Sequence, residues 1–476
     1  MSVKTTRLWR RTQGTHFTTM TSLLFSLKWL ASGAVLFAAG CAQLPVTDAP
    51  APIRLDFPPM QSFPSASPGP ATRANTQIAA DFLDLTFEME SGRPLAVLTR
   101  FEGPITVRVA GPTTPQLNRD LDGLIARLRN EAGLDIRRTD KIDASIAVQL
   151  IPTRDLQRVA PNAACFVVPR VQSWSELRAA RNSGILDWGT LERREKAAIF
   201  IPSDATPQET RDCLHEELAQ ALGPINDLYR LPDSVFNDDN IHAVLTGFDM
   251  LILRTIYAPD LRNGMSRDAV QQALPRILAR INPRGERISA PPEVRTPQVW
   301  KTLIEAALTD QRSDRQRRLA AAQAIDAGVA MGWSGVRAGF AQYAYGRLQI
   351  ENDASKALQA FNDANRIFAQ TPETNLHRAY IAAQLAAYTL ISGDAEATIS
   401  ITEAAIPVAR QYQNAALMSL LMMFQAEARD LQGDTDAGMA VRLDSLGWAL
   451  YGFGTRSEVV DRLNEIASLA PRMAPS

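Results

Sequence analysis

Apolar residues recur along the first half of the chain with two different periods, one helical and one extended. Residues 78–88 and 116–130 carry apolar side chains every three or four positions, which predicts amphipathic helices. Short runs rich in β-branched and other apolar residues predict strands at 105–109, 145–151, 165–168 and 197–201. The order of helix, strand, helix and several strands predicts an α+β domain built on a mixed sheet.

A third helix is marked by its ends. Thr206, Pro207 and Glu209 supply an N-cap, a proline in the first turn and the acidic residue of a capping box. The helix should start here, run to Leu222 and stop at Gly223. A polar row at spacings of three and four residues lies beside its apolar stripe and consists of Cys213, Glu216, Glu217 and Gln220.

Beyond residue 300 the apolar pattern is helical throughout, and a short polar turn recurs within it. Asp353, Asp394 and Asp434 begin similar segments at intervals of 41 and 40 residues, and Asp314 lies 39 residues before the first. A period near 40 predicts stacked helical hairpins, and the copy that contains Phe361 resembles a tetratricopeptide repeat. The alternative is an ordinary helical bundle.

The patterns predict a division into five segments. Eight prolines within residues 42–77 are typical of a semi-extended tether, and a second proline-containing stretch at 282–297 separates the two folded regions. The predicted segments are a lipoprotein signal peptide (1–40), a tether (41–77), the α+β domain (78–280), a linker (281–299) and the helical repeats (300–476).

The first 41 residues follow the order of a secretory signal. A basic segment precedes an apolar run, which ends in Ala38, Ala39 and Gly40 directly before Cys41. This ending resembles a lipobox, which implies cleavage after Gly40 and lipid attachment to Cys41; the alternatives are an ordinary signal peptide with a chance cysteine and a start at Met20. The resemblance predicts a protein anchored in the cell envelope and facing the periplasm. Ala42 favours the outer membrane over the inner one, by resemblance to bacterial sorting rules.

Charge and cysteine content indicate which partners and which covalent bonds can be expected. The whole chain has a formal net charge of −1, and residues 1–40 contain five basic and no acidic residues, so the predicted mature chain is acidic. It contains no basic block, so we expect no nucleic-acid partner. Cys165 and Cys213 remain after cleavage, and in an oxidising compartment such a pair is expected to form a disulfide. Two buried free thiols are the alternative.

The polar row of the third helix is close to a zinc-protease pattern without matching it. His215 and Glu216 could open a His-Glu-x-x-His motif, but Ala219 occupies the position of the second ligand. One residue later the sequence reads Glu216-Glu217-x-x-Gln220-x-x-Gly223-x-x-Asn226-Asp227. This resembles the metzincin pattern of zinc metalloproteases, with the glutamate and glycine kept and all three histidines replaced. The resemblance implies a zincin-like domain, in which a mixed sheet precedes an active-site helix.

Residues of about 78–275 also resemble the proteobacterial family catalogued as domain of unknown function 2927. The resemblance rests on the stretches at 216–227 and 234–238, the second reading Ser-Val-Phe-Asn-Asp. Members are often described as lipoproteins, which agrees with Cys41. The family name implies no activity.

The replaced histidines decide which chemistry can be expected. In the metzincin-like register the metal ligands would be Glu216, Gln220 and Asn226 with Asp227 beside them, a set of oxygen donors that is weak for zinc. Such donors suit a harder divalent cation, and His242 is a further candidate ligand. Glu217 would serve as general base only if the protein is an enzyme. The alternative is a hydrogen-bonded structural network without a ligand.

The sequence therefore favours an envelope adaptor that binds without catalysis and needs no cofactor. Its expected partners are the membrane, through the lipid on Cys41, and other proteins, through the helical repeats. An atypical metal-dependent hydrolase is the alternative, and a conventional zinc protease is disfavoured.

Overall fold

The computed structural model describes residues 57–64, 66, 69–161 and 163–471. Five strands of this part form one sheet; they are β1 (Ile105–Ala110), β2 (Ile136–Arg138), β3 (Ile146–Ile151), β4 (Phe166–Pro169) and β5 (Ala197–Pro202). Their order in the sheet is β2-β1-β3-β5-β4. All neighbours are parallel except β4, which pairs with β5 in the antiparallel direction at one edge. The expected mixed sheet is confirmed.

Helices cover both faces of this sheet. They are α1 (Asn75–Thr86), α2 (Pro115–Glu131), α3 (Thr153–Val159), α4 (Trp174–Ala180), α5 (Pro207–Leu222), α6 (Gly247–Ile256) and α7 (Arg267–Ile281). Alternate residues of β5 enter two different cores, because successive side chains of a strand point to opposite faces of the sheet. Ile199 and Ile201 enter the larger core with α1, α2 and α5 to α7, whereas Phe200 enters a smaller core with α3 and α4.

The second half of the described chain is built from helices alone. They are α8 (Gln298–Leu308), α9 (Asp314–Ala330), α10 (Val336–Gln349), α11 (Ala354–Ala369), α12 (Asn375–Ile391), α13 (Ala395–Gln411), α14 (Ala415–Leu431), α15 (Thr435–Phe453) and α16 (Arg456–Ala467). The recurring aspartates explain the period, since Asp353, Asp394 and Asp434 are the N-caps of α11, α13 and α15. Each carboxylate accepts a hydrogen bond from the backbone N–H three residues later. This all-helical arrangement is consistent with the predicted repeats.

Part of the proline-rich segment is packed, in contrast to the extended tether expected there. The Phe63 ring lies 4.6 Å from that of Trp448, and the backbone N–H of Gln61 donates to the carbonyl of Gly447 at 3.0 Å. The side chain of Gln413 donates to the carbonyl of Pro64 at 2.6 Å. Residues 57–64 thus belong to the folded body, while residues 41–56 and the signal segment lie outside the described residues.

The two halves of the chain pack directly against each other. The side-chain carboxamide of Gln208, in the first turn of α5, donates to the Asn414 side chain and accepts from the backbone N–H of Ala416. On the same side, the Tyr451 hydroxyl donates to the carboxylate of Asp120 in α2 at 3.1 Å. Helix α5 therefore lies between the sheet and the helical repeats. None of the helices in the described residues is both long and apolar enough to cross a bilayer.

Candidate functional site

Helix α5 begins as its sequence predicts. The Thr206 hydroxyl accepts from the backbone N–H of Glu209 at 3.1 Å, and the Glu209 carboxylate accepts from the backbone N–H of Thr206 at 2.9 Å. The pair forms the expected capping box. Beyond this first turn both apolar and polar residues of α5 are buried, because neighbouring elements cover every side of the helix.

The other end of α5 is held by a buried arginine. The guanidinium of Arg194 donates to the carbonyls of Gln220, Ala221 and Gly223, where the helix itself offers few donors. The Gln220 carbonyl also accepts from the backbone N–H of Gly223. Burial lowers the pKa of Arg194 to about 10. Gly223 does follow the last helical residue, but its φ of −179° is extended. Glycine is favoured there because a Cβ would lie 2.2 Å from the end of the Ile256 side chain in α6, which would have to move.

Cys165 and Cys213 form a disulfide, as the sequence suggested. The bond joins the residue before β4 to the second turn of α5, across 48 residues of chain. Both cysteines are buried in the larger core. The disulfide therefore fixes the site helix to the antiparallel edge of the sheet.

Glu217 and Gln220 share one small cavity. They line a space of about 20 Å³ together with Glu90, Trp188 and Ile225. A cavity needs about 10–15 Å³ to hold one water molecule, so this space is large enough for a water and far too small for a substrate. Only 2% of the Glu217 surface is exposed. The predicted general base therefore faces a small, partly open pocket.

The remaining candidate ligands do not join Glu217 and Gln220 in this cavity. Asn226 donates through Nδ2 to the carbonyl of Asp84 in α1 and accepts through Oδ1 from the backbone N–H of Asp227. It thereby ties the loop after α5 to α1. Glu216 and Asp227 are buried as well, and neither is among the residues that line the cavity.

This donor set does not fit a catalytic zinc ion. The amide of Asn226 is already committed through both polar atoms, and the two residues that do face one cavity offer a carboxylate and an amide. Zinc sites favour imidazole and thiolate ligands. Among the described residues, no group of three or more His, Cys, Asp or Glu side chains is arranged to hold a metal ion.

The two histidines of this region serve other contacts. His215 lies away from the Glu217 cavity. Its Nδ1 accepts a hydrogen bond from the backbone N–H of Leu245 at 3.2 Å. Burial lowers its pKa well below the ordinary value of 6.5. His242, a candidate ligand by sequence, contacts the carbonyl of Pro232 through Nε2 at 3.0 Å. Its ring packs on Tyr412, the C-cap residue of α13, so it belongs to the contact between the two halves.

The second family-like stretch forms a tight polar turn. The Ser234 hydroxyl donates to the carboxylate of Asp249 in α6, and Asn237 accepts from the backbone N–H of Asp239 at 3.1 Å. Asp239 then contacts the ring of His377 in α12 at 2.9 Å. Both partners of this last contact are almost fully buried. The turn therefore joins the α+β domain to the helical repeats.

Apolar residues around this turn complete the joint, and the sequence did not reveal them. Tyr229 and Ile241 are packed in the core of the helical region, with the Tyr229 ring 5.2 Å from Trp300 and 6.1 Å from Phe340. Such residues sit in a stretch without helical or strand periodicity. Two large apolar side chains flanking a polar turn were the only available signal.

A larger cavity lies where α5 meets the repeats, and the sequence did not predict it either. It has a volume of about 500 Å³ and is lined by the first turns of α5, by residues of α10, α12 and α14, and by α16. This is within the usual range for a small-molecule site, about 300–1,000 Å³. Its position makes it a site that neither half of the chain could form alone.

Comparison with known proteins identifies the first half of the chain only. Residues 75–276 match a family described as "Protein of unknown function (DUF2927)". No curated protein and no solved structure matches the chain. The match covers α1 to α6 and most of α7, and leaves the helical repeats outside. The family model thus matches less than half of the chain, and the boundaries expected at 78 and 275 lie within a few residues of those of the match.

Proposed function

We propose that the protein is a lipid-anchored adaptor of the cell envelope whose α+β domain binds and organises without catalysing a reaction. The proposal that this domain does not catalyse a reaction rests on one observation. Glu217, the residue in the position of a general base, faces a cavity of about 20 Å³. A general base must come within hydrogen-bond reach of the group it deprotonates, and so narrow a pocket leaves little room for a substrate beside this one.

The surroundings of Glu217 also support a structural use of the polar residues. Asn226 joins α5 to α1, and Asp239 joins the loop to the helical repeats. Residues that would converge on a metal in a zincin are distributed over separate contacts. A degenerate zincin-like domain would retain the fold and lose the chemistry, since fold alone does not determine function.

The proposed adaptor role rests on the helical repeats, and the proposed membrane anchor rests on Cys41. Stacked helices present long surfaces that suit partner proteins. Cleavage before Cys41 would place the lipid at the start of residues 41–56, which then connect the membrane to the packed segment at 57–64. The mature chain would be held by its lipid, and several acyl chains give firm attachment.

Metal analysis of the purified, tag-free mature protein tests the non-catalytic part. We expect no stoichiometric transition metal, and we expect that a chelator leaves the unfolding curve unchanged. Gln220→Ala and Glu216→Ala serve as comparison variants. A stoichiometric metal that is lost in these variants would favour the alternative, a metal-dependent hydrolase with Glu217 as base.

Lipid attachment is tested by growing cells with a labelled fatty acid. We expect label in the wild-type protein and in the Glu217→Gln variant, and its loss in Cys41→Ser together with release from the membrane fraction. Unlabelled wild-type protein would contradict the anchor without bearing on the metal question.

A further inference from the structure

The cavity of about 500 Å³ between α5 and the repeats has a strongly acidic wall. Five carboxylates line it, those of Glu209, Asp212, Glu458, Asp461 and Glu465, against the single guanidinium of Arg462. Arg462 is already paired with Glu465 at 2.5 Å. Asp212 is paired with Arg211 at 3.0 Å, so the carboxylates of Glu209, Glu458 and Asp461 give the wall its excess of negative charge, which favours a cation.

The acidic groups of the cavity differ in exposure, since Asp212 is buried and only 9% of the Glu465 side chain is exposed. Asp461 and Glu458 are exposed, so they mark where the cavity opens. Glu209 and Glu458 both cap their own helices, and both do so through Oε2. The carboxylates are thus held in place by the helix ends and keep an oxygen with which to meet a ligand.

Apolar and aromatic side chains complete the lining of the cavity. Leu417, Leu420, Tyr343 and Phe453 contribute to it. A metal ion would not need this volume or this surface. Alkyl chains gain from contact with such a wall, and ammonium groups are attracted to aromatic rings.

A buried polar side chain points to a ligand independently of the charges. Gln384 of α12 lines the cavity with only 9% of its surface exposed. Its carboxamide has no hydrogen-bond partner among the described residues. A ligand with N–H donors would give its carbonyl oxygen a hydrogen-bond partner inside the cavity.

We propose that this cavity binds a small linear organic cation, a di- or polyamine whose ammonium groups face the acidic mouth and the Gln384 carbonyl. Its methylene chain lies along the wall formed by Leu417 and Leu420. Because both halves of the chain contribute to the wall, the ligand also links them. The proposal stands on this cavity and does not depend on the adaptor role or on the lipid anchor.

Isothermal titration of the mature chain with spermidine tests the proposal, with 1,8-octanediol as an uncharged probe of similar length. We expect saturable binding of spermidine that weakens as salt is added, because exposed charges are screened. We expect no binding of the diol. Absence of saturable heat with spermidine, or equal binding of the diol, would overturn the proposal.

Two variants locate the site. Asp461→Asn removes one exposed carboxylate of the mouth and should weaken binding about fivefold, the effect of about 1 kcal/mol for one such charge in water. Gln384→Leu has a similar volume and should also weaken binding. Asp436→Asn, an exposed carboxylate outside the cavity, is the matched control and should bind as the wild type does.

The same variants also test whether the cation binds outside this cavity. Circular dichroism should show that all three variants fold. Unchanged affinity in both Asp461→Asn and Gln384→Leu would overturn the assignment to this cavity. A lysine-rich peptide that binds more tightly than spermidine would overturn the assignment to a free cation.

Discussion

Removal of the disulfide should destabilise the protein by a predictable amount. The bond between Cys165 and Cys213 closes a loop across 48 residues. The loop-entropy relation gives a stabilisation of about 4 kcal/mol for a loop of that size, towards the upper end of the usual range of about 2–4 kcal/mol. Both cysteines are buried, so alanine in their place also loses some packing. We therefore expect the Cys165→Ala/Cys213→Ala protein to lose about 3–5 kcal/mol of unfolding free energy.

Urea denaturation followed by far-ultraviolet circular dichroism measures this loss, with wild-type protein under oxidising conditions as the reference. Reduced wild-type protein is the control, because it lacks the bond and keeps both sulfur atoms. Hydrogen exchange adds a local measurement, and amides of α5 should exchange faster in the variant, since the bond holds that helix to the sheet. Two alkylated thiols in unreduced wild-type protein, or a loss below about 1 kcal/mol, would refute the reasoning.

Three further predictions concern other parts of the molecule. Arg230→Met removes a buried guanidinium that pairs with Asp81 and Asp84 of α1, although Asp81 keeps Arg73 and Asp84 keeps Arg267 and Arg295. It should cost about 1–3 kcal/mol in urea denaturation, and no measurable loss would contradict this. Burial raises the pKa of Asp233 from 3.8 to about 7 despite its arginine partner, so the folded state binds a proton that the unfolded state has released. Wild-type stability should therefore fall relative to Asp233→Asn as the pH rises from 4 to 7, by at most about 4 kcal/mol, and a pH-independent difference would contradict this. Gly339→Ala places a Cβ 2.5 Å from the ring of Phe368 and should cost about 1–3 kcal/mol, whereas Gly335→Ala, with open space, should cost clearly less in the same thermal unfolding assay.

Local sequence patterns predicted four of the five strands and the helices α1, α2 and α5, whereas α3, α4 and α7 were not predicted. The capping box at Thr206 marked the start of α5 to the residue, because the signal lies within four consecutive positions. The aspartates at 353, 394 and 434 marked helix starts in the repeats for the same reason. Strand β2 was missed, since three residues carry too little periodicity to be recognised.

The candidate site was predicted less well, because spacing along a helix does not say what covers each face. Glu217 and Gln220 do share a cavity, as residues three apart on a helix can. Asn226 lies beyond the helix end, and its direction is set by α1, more than 130 residues earlier. The contact between Asp239 and His377 spans 138 residues and leaves no local trace in the sequence.

The family match ends before the residues that bury part of the domain it covers. Tyr229 and Ile241 lie inside the match, yet the residues that bury them, such as Trp300 and Phe340, lie outside it. A fragment of residues 69–281 would expose both side chains, and burying a large apolar side chain contributes about 1.5–3 kcal/mol. It would also lose the contact between Asp239 and His377.

We therefore expect this fragment to bind a hydrophobic dye and to unfold at a lower urea concentration than the same domain does within the full chain. A Tyr229→Ser/Ile241→Thr fragment is the matched control and should bind less dye. A wild-type fragment as stable as the domain in the full chain would show that the α+β domain does not depend on the repeats for its stability. The polar turn between these two residues would then be a surface feature that the repeats happen to cover, and its role as a joint would have to be abandoned.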